Sequence, residues 1–227
     1  MAVAQITIDL KPKALSALFS ILFWSLTSYS QIVINNQLTP EQLIRNMLLG
    51  SGIEAFNITF RLAPGSYGKF RDFSQILGAD SGIVLTNGQT FNIIGPNSYP
   101  PNNTGTDNNR TGDPDLDLLS GSLNFRTKDA SIIEFDFRAT SDTLRFKYVF
   151  ASEEYPEFAP TPRNPSGSPF NDVFGFFLSG PGIVGKKNIA LIPQTTIPVR
   201  INTINELNHA QYFRRNDRPA DRAYRFL

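Results

Sequence analysis

The sequence predicts a mainly β, antiparallel fold with one short helix near its N-terminus, and three observations carry that prediction. Period-two alternation recurs, with Ile58, Phe60 and Leu62 against Asn57, Thr59 and Arg61, then Ile133, Phe135 and Phe137 against Glu134, Asp136 and Arg138. The apolar content leans on aromatics, 19 Phe against 2 Met and 1 Trp, and such rings suit a pleated surface. Sixteen Gly and sixteen Pro imply frequent turns and long loops.

The 227 residues suffice for one sizeable β domain, and 41% hydrophobic against 18% charged residues is a globular balance. A net charge of +1, without a basic stripe interleaved with aromatics, gives no basis for a nucleic-acid partner. The absence of cysteine excludes disulfides, thiol catalysis and Cys-ligated metal centres. His209 is the only histidine, so a multi-His zinc site is excluded and a Ser-His-Asp triad would rest on that one residue.

Residues 1–30 read as a signal peptide. Lys11 and Lys13 precede the apolar run Ala14 to Thr27, too short to span a bilayer, and Ser28 and Ser30 place small residues before a cut at Gln31. The alternative is a buried or uncleaved membrane helix. With the signal removed, no transmembrane span is expected. Thr39-Pro40-Glu41-Gln42 is a helix start with a capping box, and Leu43, Ile44, Met47 and Leu48 share one helical face that Gly50 ends. This is expected to be the only substantial helix. Gly82 to Leu85 is a short strand before a Thr-Asn-Gly turn, and 95–112 is a long loop.

Asp113, Asp115 and Asp117 close that loop, and on an extended chain alternate aspartates project to one side, a pattern suited to a hard cation. The run is not an EF-hand loop, because Leu118 and Asn124 stand where Gly and Glu are required, and a solvated loop is an equal reading. Ile132 to Arg138 and Thr143 to Phe150, joined by Ser141-Asp142, predict a β-hairpin whose outer faces pair acid with base, each pair contributing about 0.2–1 kcal/mol. The second strand runs into Glu153, Glu154 and Glu157. After a Pro-rich loop, Asn171 and Asp172 lead into the apolar run Val173 to Leu178, expected to be a strand buried on both faces. Acidic residues at the end of one central strand and the start of another would meet at one rim of the sheet. A Ca²⁺ ion would relieve their repulsion, while a water-exposed acidic rim is the alternative. The expected ligands are Glu153, Glu154 and Asp172, with Asn171, Glu157 and Asp113/Asp115/Asp117 as second choices.

Asn188 to Ile192 and Pro198 to Ile204 read as two further strands. Residues 31–208 carry fourteen basic and seventeen acidic side chains, whereas 209–227 carry five Arg and two Asp and lack strand periodicity. The organisation expected is therefore a signal peptide (1–30), a β domain (31–208) and a divergent basic tail (209–227).

The segments LTPEQLIRNMLLGSGI, DSGIVLTNG, GPN, GDPDLDLLSG, IIEFDFRATSDTLRFKYVFASEEYPEF, FNDVFGFFLSGPG, NIALIP and PVRINTIN cover about residues 32–205. In that order they resemble the choice-of-anchor L domain of exported proteins, mainly of Bacteroidota. The resemblance implies a secreted or cell-surface β-sandwich-like module of adhesin type, with no established enzymatic activity. After INTIN the chain departs from the family pattern, and the expectation is a C-terminally truncated domain. The function expected is a non-catalytic extracellular binding or adhesion module, calcium-stabilised, with a surface glycan or protein as partner and Tyr99, Tyr155 and Phe158 presenting aromatic faces. The alternatives are a glycoside hydrolase using Glu153 and Asp172, or a purely structural surface or matrix component.

Overall fold

The computed structural model describes residues 32–50, 52–72, 77–94, 106–121, 126–168 and 170–214. Residues 1–30, where a signal peptide is expected, Tyr99 and the tail beyond residue 214 lie outside them. The described chain is mainly β, in antiparallel sheets that close no barrel. Strand β1 (Ile32–Asn35) precedes helix α1 (Pro40–Leu43), which passes into a π-helical turn over Ile44–Leu48. Strands β2 (Ile53–Arg61), β3 (Tyr67–Asp72) and β4 (Ser81–Leu85) follow. Helix α2 (Pro114–Ser120) comes before β5 (Ile132–Ala139), β6 (Phe177–Gly180) and β7 (Ile183–Asn188). The sheets are ordered β1-β3-β4, β2-β5 and β6-β7. Among the described residues, no helix is long and apolar enough to cross a membrane.

The start of α1 follows its sequence signals. The Thr39 hydroxyl accepts from the Gln42 N–H at 3.2 Å, and the Gln42 side chain accepts from the Thr39 N–H at 2.9 Å. The apolar face then buries Leu43 and Ile44 completely. Burying each such side chain stabilises the fold by about 1.5–3 kcal/mol. The rest of the core comes largely from residues outside the ladders: Ala190, Ile192, Val199 and Ile201 are all buried, in a segment held by isolated bridges Leu191↔Pro198 and Val173↔Arg200. The two strands expected at 188–192 and 198–204 are thus a tightly folded loop, apart from Asn188 at the end of β7.

Four other expectations are corrected. Asp113, Asp115 and Asp117 do not lie on an extended chain. Asp113 caps α2, accepting from the Asp115 N–H at 2.9 Å, Pro114 occupies the first helical turn, and Gly121 leaves the helix at φ 70°. In β2 the register shifts between Phe56 and Thr59, where Asn57 takes φ 51°, and Phe60 emerges 52% exposed instead of joining a core face. Val173 to Phe176 form no ladder and are half-buried; the N–H of Phe176 turns to the Asn188 side chain at 2.9 Å.

The predicted hairpin does not form: β5 pairs with β2 alone among the described residues, from Ile53↔Ala139 to Arg61↔Ile132, and 143–150 form no ladder with it. Thr140 extends that ladder: its N–H and its hydroxyl both donate to the Gly52 carbonyl, at 2.9 and 3.2 Å. Only Ser141 and Asp142 then remain to reverse the chain, a pair without the Asn or Gly that a two-residue turn needs. Such a turn would also set Arg138 opposite Arg145. Residues 143–150 instead run as an extended strap, with Phe146 against Phe176 (4.4 Å between ring centres) and Tyr148 against Phe174 (5.0 Å).

Candidate functional site

The strap delivers Ser152, Glu153 and Glu154 to the start of the segment that carries Asn171 and Asp172. The chain turns here by local bonds: the Glu154 N–H donates to the Ser152 hydroxyl at 3.1 Å, and the Phe158 N–H to the Glu154 carbonyl at 2.9 Å. Tyr155 fixes the far side of this turn. Its hydroxyl donates to the Ile204 carbonyl, and its ring lies 5.0 Å from that of Phe213.

Asp172 is the centre of the cluster. The Ser152 hydroxyl donates to it at 2.6 Å, and the Asn87 amide approaches at 3.4 Å. Its carbonyl accepts from the Ile201 N–H at 3.2 Å, which ties the carboxylate to the core. Asn171 is committed to structure: its amide donates to the Ser120 carbonyl at 2.5 Å and accepts from the Asn202 N–H at 3.2 Å.

The electrostatics follow from burial and like charge. Burial pushes the Asp172 carboxyl up, against the opposing Ser152 hydrogen bond. Glu153 is raised by burial and then by Asp172. Glu154 is pushed up to about 7, by burial first and then by Asp172, Glu153 and Glu157. Burial and Asp172 also hold the Tyr155 hydroxyl neutral far above its ordinary range. None of the five ion pairs among the described residues involves Glu153, Glu154 or Asp172. Among the described residues, Glu154 Oε2 is buried and has no hydrogen-bond partner, and the same holds for Asn202 Oδ1, on the residue bonded to Asn171.

The structure therefore brings Glu153, Glu154, Glu157 and Asp172 within electrostatic reach of one another. Asn171 sits beside them with its amide already engaged. The remaining expected ligands are held by separate cations: Asp113 by Arg61 at 3.0 Å, Asp115 by Lys186 at 2.6 Å and Asp117 by Arg126 at 3.6 Å. The Thr127 hydroxyl and N–H on Asp117 hold that carboxyl below its usual range. Among the described residues, no three acidic or histidine side chains are gathered tightly enough to hold a metal as they stand. A cation would have to draw the glutamates inward.

Sequence reasoning missed Ser152, Asn87 and Asn202. Ser152 had a local signal, a hydroxyl two residues before a glutamate at a turn. Asn87 and Asn202 are placed by distant parts of the chain and had none. Two aromatic faces flank the cluster, with Phe158 and Phe170 edge-to-face at 5.5 Å and Phe170 55% exposed. His209 is held in its loop by the Thr203 carbonyl, 2.8 Å from Nδ1.

Residues 31–225 match the choice-of-anchor L domain, through much of the segment 209–227 that the sequence sets apart. Comparison with curated proteins and with solved structures found no match.

Proposed function

The chain belongs to the choice-of-anchor L domain family, and on that premise we propose that it is a non-catalytic extracellular binding or adhesion module whose acidic cluster takes up Ca²⁺. The family description points to an exported, surface-associated module. One observation carries the metal: Glu153, Glu154 and Asp172 stand together with no cationic partner among the described residues, and one Glu154 oxygen is buried and unbonded. An oxygen-only donor set of this charge suits calcium better than softer metals. The ion would tie the end of the strap to the segment at Asp172, leaving Phe170 and Phe158 to meet a surface glycan or protein.

Thermal and urea melts in calcium and in EDTA test this reading, and Glu154→Gln sharpens it. Glu154 has a folded pKa above its unfolded one, so the folded chain holds a proton that the unfolded chain releases. The associated stability is present below about pH 4.5 and is lost as pH rises towards 7. A shift of this size corresponds to about 3 kcal/mol, which solvent access to a half-buried carboxyl cuts to about 1–2 kcal/mol. In EDTA the variant should match the wild type near pH 4 and exceed it by about 1–2 kcal/mol near pH 8. Calcium at about 100 times its Kd should stabilise the wild type by about 2.7 kcal/mol and the variant by less. Wild-type melts indifferent to calcium contradict the metal.

The raised Glu154 also favours a second reading, a glycoside hydrolase, since a carboxyl titrating near neutrality serves as a general acid. Polysaccharide hydrolysis lost in both Glu154→Gln and Asp172→Asn would support it.

A further inference from the structure

We propose that residues 143–150 are a docking strand for a second copy of this chain, pairing antiparallel with the open edge of its β5. Among the described residues, no N–H or C=O of Leu144 to Phe150 takes part in a backbone hydrogen bond, and β5 has only β2 beside it. Two bare edges in one molecule invite pairing with another chain. Tyr148 and Val149 are 43% and 56% exposed, so the strap is accessible.

The occupant follows from charge and face. The outer row of the strap is Thr143, Arg145, Lys147 and Val149; the outer row of β5 is Glu134, Asp136 and Arg138, all exposed. Laid antiparallel with Asp136 opposite Arg145, Glu134 falls opposite Lys147, and every outer residue meets an outer one. The inner faces match in the same register, with Phe137 on Leu144, Phe135 on Phe146 and Ile133 on Tyr148. Strap on strap, by contrast, sets Arg145 against Lys147, and like charges directly opposite repel. The edge is thus blunted against its own kind and complementary to β5.

Within one chain this register is obstructed. It requires residues 139–142 as the loop, which strips Thr140 from the Gly52 carbonyl, where its N–H and hydroxyl both bond. The shorter loop that keeps Thr140 in place opposes Arg138 to Arg145. A second copy meets neither obstacle. Because strap and β5 are different surfaces, the contact is head-to-tail, and it closes only if two copies exchange straps reciprocally.

The chain has no cysteine, so single-cysteine variants report the contact directly. Glu134→Cys protein is mixed with Lys147→Cys protein under mild oxidation, beside a mixture of Arg138→Cys and Lys147→Cys, which the register holds too far apart to bridge. The expected result is a mixed disulfide that forms several-fold faster in the first mixture than in the second. Arg145→Glu/Lys147→Glu protein should be monomeric at concentrations where the wild type associates, and Glu134→Lys/Asp136→Lys protein should recover it as a partner. Equal rates in the two mixtures overturn the proposal, as does a wild type that stays monomeric at every concentration. An intramolecular disulfide in the double variant Glu134→Cys/Lys147→Cys at high dilution, with no mixed disulfide between the single variants, assigns the pairing to one chain and overturns the second copy.

Discussion

Gly112→Ala is expected to destabilise the domain by about 3 kcal/mol or more, a large effect for one added methyl group. A Cβ at Gly112 would stand 1.9 Å from the Thr127 carbonyl oxygen and 2.3 Å from its carbon, both backbone atoms that no rotamer change can move aside. The two segments must separate, and several contacts leave with them. The bridge Thr111↔Lys128, the Thr127 hydroxyl on the Asp113 N–H at 3.0 Å and the Thr127 N–H on Asp117 at 2.6 Å all depend on that approach. Arg61, which donates to the Gly112 carbonyl at 2.9 Å and pairs with Asp113, is displaced as well. Urea denaturation measures the loss. Gly50→Ala is the matched control, since a Cβ there meets nothing within 4 Å, and it should change stability by no more than about 0.5 kcal/mol.

Ile201→Ala should cost about 2–5 kcal/mol, through lost burial and the cavity left behind. Ile201 is wholly buried, and its N–H holds the Asp172 carbonyl, so the cavity opens directly behind the acidic cluster. The urea midpoint should fall with the slope unchanged, which separates a weakened native state from a loss of two-state unfolding. If the cluster relies on that backing, the calcium response of the variant should weaken in parallel. A midpoint within experimental scatter of the wild type would show that the loop at 188–201 is not the core described above.

How much was legible in the sequence depends on whether the deciding contacts were local. Thr39 to Gln42 announces its helix completely, because cap, proline and return bond lie within four residues. Asp113, Pro114 and Gly121 carried the same kind of signal for α2, and the alternation of three aspartates concealed it. Each of those carboxylates has a basic partner from a different part of the chain. Strand β5 was legible as a strand and illegible in its partner: Thr140 on Gly52 is a contact across 88 residues that no turn signal reports. Glu153 and Glu154 come within electrostatic reach of Asp172 because the strap packs its rings on the segment from Asp172 to Phe176, Phe146 on Phe176 and Tyr148 on Phe174. Asn171, by contrast, looks like a ligand in sequence and serves as a strut between Ser120 and Asn202.

In the proposed function, the carboxylates around Asp172 would take up Ca²⁺. Calorimetric titration of calcium into the folded domain near neutral pH, with Asp172→Asn alongside, tests it most directly. The expected result is one saturable site per chain in the wild type, released protons from the raised carboxyls, and no measurable site in the variant. Equal heats in the two proteins, or none in either, would contradict it.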